Sequence, residues 1–455
     1  MKIRIRSILL GVSVTLCVGL GICTGVVGQE EVGTHRSNRL HGIGPFPRDY
    51  DSGSMAIHAL DSSLDAYGVE ISYRRLMGLS RGGFKFVYDS AECYEPLRDL
   101  YPVDVLQSAA QALGFRRARW ELNKPLEEVL AIIKAQIDRG HPVIAPFLKP
   151  DAYHGAVIIT GYDLDENILY LQGAFEESAG VSVTIPEAWD GPTSSPLGWA
   201  TNPIFVMGGR MVTEDREIDR SVLTDAIQLL RGGSLPYGEH SGEIRYMADQ
   251  GPHDAAYGLP AYDLLSYDVE HEPLVREQTG ESGVNFGFIW RLDSQIGQLE
   301  HDRHAGSYYL RHFSPWLPEE KRLMLTQVAS NFEKAAEDAR SLREIFWHEI
   351  PQDIDSVKKI REYLTRGGSM VFILPENPRL RQDLEGVGIE IFSTPWGWLL
   401  IDDSPGKRAS AKILVKSIAS RDRNSLGLIE EVIAFLDRLD KQAEQEGGPG
   451  ASGRE

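Results

Sequence analysis

The chain predicts an α+β protein in which helices come first and an antiparallel sheet follows. Three stretches, residues 54–67, 105–113 and 126–139, carry apolar side chains at helical spacing, and Gly68, Gly114 and Gly140 stand where each should stop. Short apolar runs follow at 142–147, 154–160, 168–172, 181–185 and 204–207, which read as strands. The turn at 163–167 is short, so the strands containing Val143, Val157 and Leu169 are expected side by side and antiparallel, with helix 54–67 packed on them.

Composition is that of an ordinary globular protein: 455 residues, 42% hydrophobic and 25% charged, enough for two or three domains. A formal charge of −19 argues against nucleic acid as a partner and against adhesion to anionic lipid. The N-terminus stands apart. MKIRIR is basic, and an uncharged apolar run follows to Gly28. Residues 1–28 therefore read as a cleaved signal peptide or as a retained membrane anchor, both of which export the body. A lipoprotein is disfavoured because Ile22 precedes Cys23 where a small residue is wanted. Contact with a membrane is expected only through this segment. Cys17 and Cys23 fall inside it, which leaves Cys93 alone in the body and no internal disulfide. Cys93 reads as a half-buried small residue, since no basic neighbour is there to activate it.

Further along, 29–44 is a polar linker and 215–350 is mainly helical, with helices at 218–230, 286–299, 305–313 and 321–347. Residues 234–280, rich in Asp, His and Gly, read as a long loop. His301 and His304 lie one helical turn apart, but no third ligand is near, so a solvated helix face is expected and no metal. The pairs Gly82-Gly83 and Gly232-Gly233 read as turns and helix stops. Residues 351–440 suggest a small α/β module: a helix at 353–368, strands at 369–375, 389–392, 397–403 and 411–417, and a closing helix at 425–440. Trp396 and Trp398 are expected to pack in its hairpin, and 441–455 is a disordered tail.

The stretches GHPVIAP, YHGAVIITGYD and ENILYLQG resemble the C-terminal half of the papain-like peptidases that process bacteriocin leaders. ISYRRLMGLSRGGFKF, GLPAYDLL and RHAGSYYLRHF are similar to proteins related to butirosin biosynthesis protein H. The resemblance spans about residues 45–350. It implies a papain-like domain over 45–214, a helical domain over 215–350, and a catalytic histidine at His154.

Two departures follow. The family places a cysteine at the start of the first helix, whereas this chain has Ser52 and Ser54 there and no cysteine from Gln29 to Glu92. The family's acid after the next strand is replaced by Gln172 and Gly173. A serine needs more help than a thiol, and Gln172 can hold an imidazole without stabilising its charged form. Ser54 also suits a helix cap, and Asp163 suits the cap of its own turn. His154 is open to three roles: a retained binding pocket, a hydrogen-bonded fold residue, or the base of a Ser–His device. The expected function is capture of a peptide or an acylated small molecule without turnover. The alternatives are an acyltransferase or peptidase-like hydrolase using Ser54 or Ser52 with His154, and an envelope scaffold. No cofactor is implied, and nothing specifies an oligomeric state.

Overall fold

The computed structural model describes residues 35–44, 54–89, 102–115, 117–146, 156–173, 181–185, 203–210, 215–235, 255–274, 276–277, 284–285, 288–289, 292–312, 316–346, 358–359, 372–373, 378–385, 390–394, 397–401 and 405–446. All of them belong to one compact unit, His35–Glu455. The expected signal or anchor over 1–28 lies outside the described residues, as do Cys93, Trp396 and the tail from 447. No described helix is long and apolar enough to cross a membrane.

The first helix, α1, spans Met55–Leu64 and tightens into a 3-10 turn over Asp65–Tyr67 before Gly68, which takes the left-handed conformation (φ 63°) and stops it. Next come α2 (Tyr73–Leu79), α3 (Val105–Ala112) and α4 (Leu126–Asp138). Asp104 caps α3 by accepting the Gln107 N–H at 3.0 Å.

The sheet strands are β1 (Ser37–Arg39), β3 (Arg119–Glu121), β4 (Val143–Pro146), β5 (Ala156–Asp163), β6 (Ile168–Gln172), β7 (Val181–Thr184) and β8 (Ile204–Val206); β2 (Val87–Asp89) stands apart. Their order is β3-β8-β4-β5-β6-β7, with β1 also paired to β5. Every pairing is antiparallel, with Val143 opposite Ile159 and Tyr162 opposite Leu169. The turn between β5 and β6 is built by Asp163, whose Oδ1 accepts the N–H groups of Asp165 and Glu166 at 3.0 Å each.

Alternation along the strands sends their side chains to two cores. Ile144, Ala156 and Ile158 pack with Ile57, Leu60 and Leu64 of α1, whereas Val143, Val157, Ile159 and Leu169 pack with Val129, Ile133 and Ile137 of α4. The sheet thus lies between α1 and α4, with both faces covered. Residues 37–39, expected in a linker, instead form β1. Asn38 Nδ2 reaches Asp138 Oδ1 at 3.1 Å, and the Arg39 guanidinium lies over the Tyr170 ring at 4.6 Å.

The helical part contains α5 (Asp215–Leu230), α6 (Leu259–His271), α7 (Gly297–Arg311), α8 (Glu319–Phe346), a short α9 (Pro378–Glu385) and α10 (Pro405–Glu446). Helix α6 corrects the expected loop over 234–280. Ala261, Tyr262, Leu265 and Val269 recur at helical spacing and are buried, but Asp, Ser and Glu between them mask the stripe. Strand β9 (Ala255–Tyr257) precedes it and pairs with β2. A two-stranded ladder, β10 (Arg276–Glu277) with β11 (Val284–Asn285), follows α6.

The expected helices at 286–299 and 305–313 are largely one. A π-helical turn over Leu292–Ile296 leads directly into α7. The expected strand at 411–417 is also corrected, since it lies inside α10, which runs without a break past residue 440. Ala411, Val415 and Ile418 are buried at a helical spacing that a seven-residue window does not reveal. Helix α10 packs on α8, α6 and α5. The remaining strands β12 (Phe372–Ile373), β13 (Glu390–Thr394) and β14 (Gly397–Ile401) form an antiparallel sheet in the order β12-β14-β13. The expected helix over 353–368 falls outside the described residues except at 358–359.

The solvated face expected around His301 and His304 is also corrected. Arg303, between them, is fully buried. Its Nη2 meets Asp422 Oδ2 at 2.5 Å and its Nε meets Oδ1 at 3.0 Å, while Nη1 donates to the carbonyls of Lys85 (2.9 Å) and Gly83 (3.3 Å). Tyr262 Oη donates to the same Asp422 at 2.6 Å. This cluster sits where α10 passes from one apolar core, with Ala411, Val415 and Ile418, to the next, with Leu426, Ile429 and Val432.

The carbonyl of Gly83 reaches Arg303 because α7 lies almost against it. A Cβ on Gly306 would stand 2.6 Å from Gly83 O, and a Cβ on Gly83 would stand 2.7 Å from Gly306 N. Gly306→Ala is therefore expected to destabilise the fold by about 1–3 kcal/mol, the usual cost of forcing extra atoms into a packed site. Gly427→Ala, in α10 with open space around it, should instead stabilise by up to about 1 kcal/mol. Urea unfolding of the two variants checks both signs.

Candidate functional site

Helix α1 presents its N-terminus to the region where the sequence places the chemistry. Ser54 is its N-cap, 3% exposed and extended in backbone (φ −82°, ψ 116°). Its Oγ accepts the Ile57 N–H at 3.2 Å. Its own backbone N–H donates to the Tyr73 hydroxyl at 3.0 Å. Tyr73 starts α2, and its ring stacks on that of His58 with centroids 3.9 Å apart and planes 8° from parallel. His58 is buried, one turn along α1 from Ser54.

This arrangement takes up the Ser54 backbone amide, one donor an oxyanion would call on, and one acceptor position of the Ser54 hydroxyl. Acyl transfer requires a hydroxyl free to be oriented by a base, and backbone amides aimed at the developing oxyanion. At Ser54 the hydroxyl oxygen is a cap acceptor and the amide already has an oxygen partner. Gln172 is 6% exposed and sits opposite Ile158 in the β5–β6 ladder. Since Ile158 packs toward α1, Gln172 shares that side of the sheet. It brings a carboxamide, not a carboxylate, to that face. Ser52 and His154 lie outside the described residues; Ala156, the first residue of β5, packs in the core shared with α1. Among the described residues no group of three His, Cys, Asp or Glu side chains could hold a metal ion.

Tyr73 and His58 were not singled out by the sequence. The one available signal was the four-residue step from Ser54 to His58, which shares a helix face. The approach of Tyr73 depends on the packing of α2 against α1, which no local spacing encodes.

Asp61, farther along α1, carries a perturbed carboxyl. Burial first, and the charge of Asp65 second, push its carboxyl up to about 6. The folded state therefore holds this proton more tightly than the unfolded chain does. Stability associated with Asp61 is present at acid pH and falls as pH rises from about 4 through about 6. Asp61→Asn is expected to raise Tm at pH 8 relative to wild type, with the gain vanishing near pH 4; a gain that is the same at both pH values would contradict this. Ser54→Ala should cost about 1 kcal/mol through loss of the cap, and Ser54→Thr should retain most of that stability, both read by urea unfolding.

No protein-family model matches this chain, and no curated protein does either, so the functional reading rests on the chain's own side chains.

Proposed function

We propose that this chain is an exported papain-like protein of the butirosin biosynthesis protein H-like kind that captures a peptide or an acylated small molecule without turning it over. The observation that carries this reading is the engagement of Ser54, whose Oγ caps Ile57 and whose N–H is held by Tyr73. Gln172 supports it, since it offers a hydrogen bond where a catalytic device needs a charge. The order of elements supports it too, with a capped helix lying on an antiparallel sheet whose strands β4, β5 and β6 are adjacent. The basic start and the apolar run to Gly28 are the support for export. In this reading His154 lines the binding cleft, and the helices after residue 215 cover it.

A working triad that loses its acid loses about 10⁴-fold in kcat, and exchanging the thiol for a hydroxyl adds to that loss. Wild type is expected to show no hydrolysis or acyl transfer above buffer with activated esters or with peptides of small residues. His154→Ala is expected to keep its Tm and to weaken capture of an acyl or peptide ligand from a fluorescent panel. Turnover by wild type that disappears in both His154→Ala and Ser54→Ala would replace the binding reading with a Ser–His hydrolase.

A further inference from the structure

The two end strands of the large sheet are finished differently. At one end β3 carries Arg119 and Glu121, joined at 2.6 Å, and Lys124 stands 3.6 Å from the same carboxylate. Charge along an end strand guards it against pairing with another chain. At the other end β7 reads Val-Ser-Val-Thr, with no charge, proline or glycine. It has the composition of a strand and none of these guards.

The ladder shows what β7 leaves open. It pairs antiparallel with β6, Val183 opposite Leu169 and Ser182 opposite Tyr170. Just beyond the strand, the Ile185 N–H donates to the Asn167 carbonyl at 2.8 Å. Hydrogen-bonded pairs alternate along such a ladder, so Val181 and Val183 turn their backbone groups toward β6. Ser182 and Thr184 turn theirs away from it. Among the described residues no backbone group answers these two N–H and two C=O groups. The side chains are sorted as well. Val181 and Val183 are half-buried and pack with the core shared with α4, whereas Ser182 and Thr184 are exposed on the opposite face.

We infer that the open edge of β7 accepts an extended, uncharged peptide as a further antiparallel strand. Peptide residues opposite Ser182 and Thr184 exchange both backbone hydrogen bonds with them, four in all, and their side chains lie on the exposed face. The residues between meet Val181 and Val183 and are apolar. Recognition thus comes from the backbone, and selection from the alternation of polar and apolar side chains. A second copy of this chain suits the edge less well, because two bodies of charge −19 repel each other. The edge is separate from the cleft assigned to His154, and the inference does not rest on that assignment.

The test titrates the purified full chain into a fluorescent, acetylated and amidated Thr-Val-Thr-Val-Thr peptide and follows anisotropy. In the inferred pairing the threonine amides face β7 and the valine amides face solvent. N-methylation of the valine amides is expected to leave affinity within about threefold, whereas N-methylation of the threonine amides should weaken it about tenfold or more, since each buried donor lost counts. Ser182→Pro removes an outward N–H at a position where an end strand tolerates proline, and Ser182→Lys supplies the missing guard. Both should weaken binding about fivefold or more with Tm little changed, and His154→Ala should bind as wild type does. The inference is overturned by a parent peptide that does not bind at millimolar concentration, by equal effects of the two methylations, or by unchanged affinity in both Ser182 variants. Loss of binding in His154→Ala would place the peptide in the cleft instead. A dimer in light scattering that Ser182→Pro abolishes would give the edge to a second copy, which also overturns it.

Discussion

The buried ion pair between Arg303 and Asp422 is the constraint on which the helical architecture depends. A guanidinium with no exposure needs its donors answered, and here the partners come from two places in the chain: Asp422 on α10, and the carbonyls of Gly83 and Lys85 in one short segment. Those carbonyls come within reach only because α7 approaches Gly83 through Gly306. One side chain therefore sets the spacing of α7 from the Gly83 segment and the axial position of α10 at once. Such a pair contributes little net stability, since desolvation offsets most of the attraction. Its effect is on register: α10 slipped by one residue would bring Arg421 or Arg423 toward the buried guanidinium in place of Asp422.

A second polar anchor repeats this logic nearer the sheet. Arg81 adopts the left-handed conformation (φ 66°), uncommon for a residue with a side chain. Its guanidinium bonds Asp225 at 2.9 Å and Ser221 at 3.0 Å on α5, and the carbonyls of Leu79 and Ser108. The pair Gly82-Gly83, read from sequence as a turn, is thus flanked by two buried cations that tie it to α5, α7 and α10. The local conformation is held by tertiary contacts, which is why a motif of lone glycines carried so little information by itself.

What was legible in the sequence follows the same division. Helices α1, α3 and α4 were readable because apolar spacing and a terminal glycine lie within a few residues of one another. Strands β5 and β6 were readable because the turn between them is short and capped by Asp163, and β4 because its apolar run is compact. Helix α6 was hidden by the polar residues between its buried positions, and the start of α10 by an apolar run that suits strand and helix alike. The burial of Arg303 was not legible at all, since its partners lie 119 and about 220 residues away. At the candidate site, Ser54 could be read as a cap, but the Tyr73 hydroxyl on its amide depends on how α2 lies against α1. Ser52 and His154 stay as the sequence left them, because they fall outside the described residues.

Helix α10 has 42 residues and follows every other described element in the sequence. It supplies Ala411, Val415 and Ile418 to one core and Leu426, Ile429 and Val432 to another. The residues that complete both cores are therefore synthesised after α5, α6 and α8. Until they arrive, α5, α6 and α8 have apolar surface with no partner, and the buried charge of Arg303 has no counterion. The chain resembles a vault whose keystone is cut after its walls: the earlier helices can form secondary structure during synthesis, but cooperative closure waits for α10. Folding of this kind is governed by contacts of long sequence separation, which slows it and prolongs exposure of sticky intermediates.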